Sequence, residues 1–200
     1  MIDPSKMTWK EHQAWEREWH NSCVNSYWEE TKQQYYARKM GLTAKQTPDE
    51  RFPIYDLEGK SVLDVGGGAY SLLLKCQNIS KATVVDPLDY PQWTMDRYKS
   101  ANIEFIKIKA EDMDLHDYDE VWMYNCLQHT EDPEKIVKNC LRAGKKFRIF
   151  EWIDRGVMIG HPQDLKRDKL DEWIGQKGRV DMFILGQVNY GSCYFGEFDI

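Results

Sequence analysis

Cysteine is scarce and scattered in this chain. The five residues, at 23, 76, 126, 140 and 193, form no C-x-x-C pair. That pattern argues against a disulfide framework and a zinc ribbon, and a reducing cytoplasm is the simplest setting. No metal site is expected from sequence spacing. No apolar run approaches the ~20 residues of a membrane helix, and no apolar stretch follows a basic start at the N-terminus, so neither a span nor a signal peptide is expected. Internal repeats and low-complexity segments are missing too. Positive charge is not in excess. The net charge is −6, and no basic stripe marks a nucleic-acid surface.

The 200 residues that remain are 42% hydrophobic and 30% charged, the balance of a globular domain rather than a disordered chain. Residues 1–46 read as two aromatic-rich helices, about 8–22 and 26–40, with Gly41 as a stop. Thr8 to Glu11 and Ser26 to Glu29 both have capping-box spacing. Trp15, Trp19, Cys23 and Tyr27 fall four apart and share a face if one helix runs through. Thr47-Pro48-Asp49 marks a linker. The reading therefore divides the chain into an N-terminal helical lid or extension, 1–50, and a main domain, 51–200.

After residue 59 strands and helices alternate. Strands are expected at Ser61–Val65, Ala82–Asp86, Ile103–Ile108, Glu120–Tyr124 and Lys146–Glu151. Helices are expected at Ala69–Asn78, Pro91–Lys99, Asp132–Arg142 and Asp164–Ile174. Two strands then follow in succession, Arg179–Val188 and Ser192–Asp199, with a turn at Asn189-Tyr190-Gly191. The pattern is α/β. It predicts a doubly wound, seven-stranded, mostly parallel sheet with an antiparallel last strand, plus the N-terminal helical extension.

The richest segment is Val62-Leu63-Asp64-Val65-Gly66-Gly67-Gly68-Ala69-Tyr70-Ser71, followed by Leu72-Leu73-Leu74. A strand, a glycine turn and a helix place bare backbone and free N–H groups at the carboxyl end of a first strand, a nucleotide-type site. Asp86, beside Pro87 at the end of the second strand, is placed to accept hydrogen bonds from ribose hydroxyls. Two ligands fit. A dinucleotide fits G-x-G-x-x-G imperfectly, because Ser71 stands at the third glycine. S-adenosylmethionine (SAM) has no pyrophosphate, and Asp64 can order the turn or approach its ammonium end.

The chain resembles the class I, Rossmann-like SAM-dependent methyltransferases over roughly residues 58–200. The resemblance rests on Asp64-x-Gly66-x-Gly68, on Asp86, on Ala110-Glu111-Asp112, on Asn125-Cys126-Leu127-Gln128-His129, and on the closing strand pair. It implies SAM as cofactor, held by Asp64, Gly66, Gly67, Gly68, Asp86, Pro87, Glu111, Asp112, Asn125, Cys126 and Leu127. The chain departs from the family in carrying Tyr70 where a third glycine is common. His129 is a candidate base for an acceptor proton. Tyr35 and Lys39 near the end of the helical segment, with Glu151, Asp154 and His161 beyond strand five, are candidate substrate contacts. Tyr36 is a further residue of this kind.

Residues 125–128 lack the Asn/Asp-Pro-Pro-aromatic signature of amino methylation on adenine or glutamine, and no Pro-Cys pair offers a nucleophile for cytosine. The expected activity is O- or N-methylation of a small-molecule or saccharide-like acceptor. An NAD-linked oxidoreductase and a catalytically inactive SAM-binding protein are the alternatives. No nucleic-acid or membrane partner is expected, and a homodimer through the N-terminal helices stays open.

Overall fold

Side-chain direction alternates along the central strands, and each strand divides its buried side chains between two cores. Leu63, Val65, Val121, Met123, Phe147 and Ile149 face one side; Val62, Val84, Trp122, Tyr124 and Phe150 face the other. Both sides of the sheet are therefore dry, as a parallel sheet requires. The computed structural model describes residues 3–21, 23–45, 53–185 and 188–200. The expected linker at 47–49 lies outside them.

The described residues form ten strands: β1 (Ala44–Lys45), β2 (Ile54–Asp56), β3 (Ser61–Val65), β4 (Cys76–Gln77), β5 (Lys81–Val85), β6 (Glu104–Ile106), β7 (Glu120–Tyr124), β8 (Lys146–Ile153), β9 (Arg179–Leu185) and β10 (Val188–Asp199). The helices are α1 (Trp9–His20), α2 (Cys23–Lys39), α3 (Gln92–Ser100), α4 (Pro133–Ala143) and α5 (Arg167–Ile174). The main sheet has the order β6-β5-β3-β7-β8-β10-β9. Its first five strands run parallel, and β10 runs antiparallel to both neighbours. This is the doubly wound, seven-stranded α/β sheet expected from the sequence. Chain order reverses between β3 and β7, so the crevice at their carboxyl ends is the topological switch point. A small second sheet has the order β1-β2-β4.

Local signals explain most boundaries. Thr8 and Glu11 close a reciprocal capping box on α1. Asp132 caps α4 with Pro133 at its first position. Gly41, at φ +79°, ends α2 in a left-handed turn, with Leu42 N–H reaching Ala37 O at 2.9 Å and Gly41 N–H reaching Arg38 O at 3.2 Å.

Three expectations fail. Ala69–Asn78 is not a helix: only a 3₁₀ turn, Leu72–Lys75, forms before β4 begins. The sheet face there is covered from elsewhere, because Tyr36 and Ala37 of α2 and Met40 just after it pack against Val62, Leu72 and Trp122. Ser26 lies inside α2 and is no cap. The two expected N-terminal helices do form, α1 stopping at His20 and α2 starting at Cys23, so residues 15–27 do not lie on one continuous helix. Asn189–Gly191 is not the hairpin turn; Val188 already pairs with Leu185, and Asn189–Gly191 forms a bulge in β10.

Arg148 on β8 ties α2 to the sheet. Its Nε donates to Glu120 Oε2 at 2.6 Å, and its Nη1 donates to the Met40 carbonyl and to Glu197 Oε2, each at 2.6 Å.

Candidate active site

Three glycines after β3 make the floor of the crevice; packing demands two of them and backbone conformation the third. Gly66 has φ +75°, and a Cβ there meets Cys126 Cβ and Sγ at 2.5 Å. A Cβ on Gly67 meets Asp64 Oδ2 at 2.7 Å, and Gly68 has φ +62°. Asp64 is fully buried. Its Oδ2 accepts from Ser71 Oγ at 2.5 Å and from Tyr124 OH at 2.6 Å, and burial pushes its carboxyl up to about 7. Asp64 thus orders the turn and does not line the cavity above it. The N–H groups past the turn are also taken: Ser71 N–H by Tyr98 OH at 3.1 Å, Leu72 N–H by Tyr124 OH at 2.7 Å. The site therefore has no helix N-terminus, contrary to expectation.

The cavity holds about 640 Å³, inside the roughly 300–1,000 Å³ of small-molecule sites. Gly66, Gly67, Gly68, Asp86, Pro87, Glu111, Asn125 and Cys126 line it, as do His129 and His161. Asp86 is 6% exposed. Its oxygens accept from Gly68 N–H at 3.2 Å, Leu88 N–H at 3.0 Å and Tyr90 OH at 2.9 Å. Burial raises its carboxyl above the ordinary range, against these three donors. Glu111 Oε1 accepts the backbone N–H of Glu131 at 3.1 Å and of Asp132 at 3.3 Å. Asn125 adopts φ +54° at the end of β7 and donates to Glu29 Oε2 of α2 at 3.4 Å.

Six further expected contacts lie elsewhere. Leu127 is fully buried in the core under α4. Asp112 is exposed and pairs with Lys135 at 3.7 Å. Glu151 is buried beneath the cavity, where Oε1 accepts Cys126 N–H at 3.0 Å and Leu127 N–H at 2.9 Å, and burial lifts it to about 7. It shapes the turn after β7 instead of touching substrate. Asp154 faces solvent and pairs with Lys166 at 2.8 Å. Tyr35 packs on Phe183 at 4.2 Å, and Lys39 pairs with Asp181 on the sheet's far edge.

The roof comes from α1. Trp9 Nε1 and Gln13 Nε2 both donate to the His129 carbonyl, at 3.1 and 2.8 Å. The buried residues of α1 are not its tryptophans but His12 and Glu16; Trp15 is 40% exposed and stacks on Trp19 at 5.4 Å. Glu16 Oε1 lies 3.3 Å from His129 Nδ1, and Glu16 Oε2 lies 3.7 Å from His20 Nε2. His129 Nδ1 also meets the Gly160 carbonyl at 2.7 Å, and its ring stands edge-on to His161 at 4.6 Å. Burial lowers the His129 pKa, but the Glu16 carboxylate outweighs it and raises the imidazole to about 9. Burial, then the His129 charge, pushes His161 down to about 4. With its lone pair protonated at neutral pH, His129 alone makes a poor base. Glu16, His20, Trp9, Gln13 and Glu29 were missed in the sequence. Their one signal was the four-residue spacing His12-Glu16-His20, a polar stripe on a helix face.

Residues 63–147 match the family model described as "Methyltransferase domain". Over that stretch the chain resembles the methyltransferases. No curated protein sequence matches it. Among solved structures, it is similar to magnesium protoporphyrin IX methyltransferase from Synechocystis PCC 6803 with bound SAM. The identity is 12%, with 98% of this chain and 97% of that one covered and a TM-score of 0.56. A protein from Thermotoga maritima described as a possible histamine N-methyltransferase is 15% identical, with 90% and 97% covered and a TM-score of 0.54. The N-methyltransferase NodS from Bradyrhizobium japonicum WM9 with S-adenosylhomocysteine (SAH) is 13% identical, with 70% and 77% covered and a TM-score of 0.55. The methyltransferase match weighs against the NAD-linked alternative. The site suits SAM: bare backbone at Gly66–Gly68 lies beside a carboxylate that follows the second parallel strand, Asp86, with no Cβ in the way.

Proposed function

We propose that this methyltransferase acts on a hydroxyl or amine of a small-molecule or saccharide-like acceptor held under α1. The observation that carries this reading is the cavity itself. It is continuous from the glycine turn to His129 and His161, and α1 closes it from above. A site of this size, roofed by one helix, suits a small acceptor better than a polymer. The absence of any membrane-length apolar helix among the described residues fits a reaction on a dissolved acceptor; a cytoplasmic setting is part of the proposal.

SAM, when bound, supplies an electrophilic methyl group on a sulfonium. Asp86 binds the ribose hydroxyls with its carboxylate, and Glu111 and Pro87 flank the adenine end. Gly66–Gly68 and the Asn125–Cys126 backbone hold the other end, with Asp64, Glu151 and Leu127 supporting the two turns from below. The chain's remaining task is alignment of acceptor and methyl group. The reacting heteroatom meets the group formed by Glu16, His129 and His161. We assign the lid role within residues 1–50 to α1; α2 is part of the core of 51–200 through Tyr36 and Ala37, with Met40 just beyond it.

The test is methyl transfer from labelled SAM to a panel of small phenols, amines and sugars. Label appearing in a small product supports the reading. Label found only on protein or nucleic acid overturns it.

A further inference from the structure

Four of the chain's five histidines gather at one end of this cavity, around one buried carboxylate. Glu16 comes from α1, His129 from the turn after β7, and His161 from the loop after β8. Each offers one ligand atom, and the three atoms lie within 4.8 Å of one another. All three residues line the cavity.

Packing alone does not explain this arrangement. An amphipathic helix normally buries its apolar face; α1 buries His12 and Glu16 while Trp15 is exposed. Among the described residues, His161 Nδ1 and His20 Nδ1 are buried with no hydrogen-bond partner. Buried ring nitrogens without partners are costly unless something is bound to them. The loop is also shaped to admit the carboxylate. Gly160 has φ +81°, and a Cβ there falls 2.6 Å from Glu16 Oε1. Its N–H donates to His12 Nδ1 at 3.0 Å, which pins the loop to α1.

We propose that Glu16, His129 and His161 bind a divalent transition cation, zinc or ferrous iron by donor class. Two imidazoles and one carboxylate, with positions left open to a cavity, form the donor set of catalytic rather than structural sites for these ions. The surroundings supply the outer contacts such sites need. The Gly160 carbonyl, 2.7 Å from His129 Nδ1, sets that ring's orientation, and His20 Nε2 stands 3.7 Å from the second Glu16 oxygen. An ion here has its open positions toward the acceptor side. It acidifies a hydroxyl or amine bound to it, and the proton leaves to solvent water. This removes the need for a neutral His129 as base. The inference deepens the proposed function and rests on its placement of the acceptor.

The test uses untagged protein stripped by a chelator and titrated with Co(II), followed by visible absorption and by Zn(II) competition. The expected result is saturation at one Co(II) per chain, with ligand-field bands that zinc abolishes. Glu16→Gln and His161→Ala each weaken binding at least about tenfold, and His20→Gln weakens it by ~10–100-fold. Circular dichroism on the same samples separates loss of ligand from loss of fold. Should a variant unfold, protection of His129 and His161 from diethylpyrocarbonate by Zn(II) in the native protein replaces it as the readout. The proposal is overturned if native protein shows no bands, or if bands persist in a folded His129→Ala/His161→Ala protein. SAH binding is measured in parallel. Cobalt binding without SAH binding leaves the ion site standing and overturns the proposed function, whereas SAH binding without cobalt does the reverse.

Discussion

Glu16 Oε1 and His129 Nδ1 stand 3.3 Å apart, joining the N-terminal helix to the turn that follows the fourth parallel strand. With the Trp9 and Gln13 bonds to the His129 carbonyl, this contact makes α1 the roof of the cavity. A cofactor beneath that roof gains from its closure. Added SAH is therefore expected to slow proteolysis within residues 3–21. Equal cutting rates with and without SAH, read by mass spectrometry, would count against α1 as a lid.

Gly66→Ala tests the floor. The added methyl meets Cys126 at 2.5 Å, at a backbone φ of +75°. Overpacking costs ~1–3 kcal/mol and the left-handed conformation about 1–2 kcal/mol more. A loss of roughly 5–15 °C in melting temperature is expected. Gly59→Ala is the control: its φ is +82° but nothing lies within 4 Å, so only the conformational part remains.

The buried Glu120–Arg148 pair tests how α2 is held. Glu120→Ala leaves Arg148 with one carboxylate fewer in a buried setting and is expected to destabilise by about 3–5 kcal/mol in urea unfolding. The pair also has a pH signature. Burial opposes ionisation of Glu120, but the Arg148 hydrogen bond outweighs it and draws the carboxyl down to about 2. A depressed folded pKa gives stability that is full above the unfolded value of 4.5 and is lost as pH falls toward 2.

Asp64 behaves in the opposite sense. Its folded value is up at about 7 from 3.8, through burial first and with Asp86 as a like-charged neighbour. The folded chain holds this proton more tightly than the unfolded chain, so this group's contribution falls as pH rises from about 4 to 7. Asp64→Asn keeps an acceptor for Ser71 and Tyr124. Its stability relative to the native protein is expected to rise across that window in paired thermal melts. A constant difference would contradict the burial argument.

The sequence was most legible where one signal had one reading. Ser61–Val65 and Glu120–Tyr124 match their strands to the residue because both faces of a parallel strand are buried and apolar. Leu72-Leu73-Leu74 misled because an apolar triplet fits a helix and a buried turn equally well. What decided it was α2, arriving from sequence far away to cover that face. The cofactor turn was readable because it is local. The Glu16–His129–His161 group was not, since its members come from three separate segments. Single polar residues such as Asp112, Glu151 and Asp154 carry no direction in sequence; pairing and burial set where they point.

Titration calorimetry with SAH tests the central claim most directly. The account predicts one SAH per chain and a roughly 10–100-fold weaker affinity in Asp86→Ala, the loss of one or two hydrogen bonds to a charged acceptor. Native protein that takes up no SAH, or a folded Asp86→Ala variant that binds it as tightly, would contradict the account.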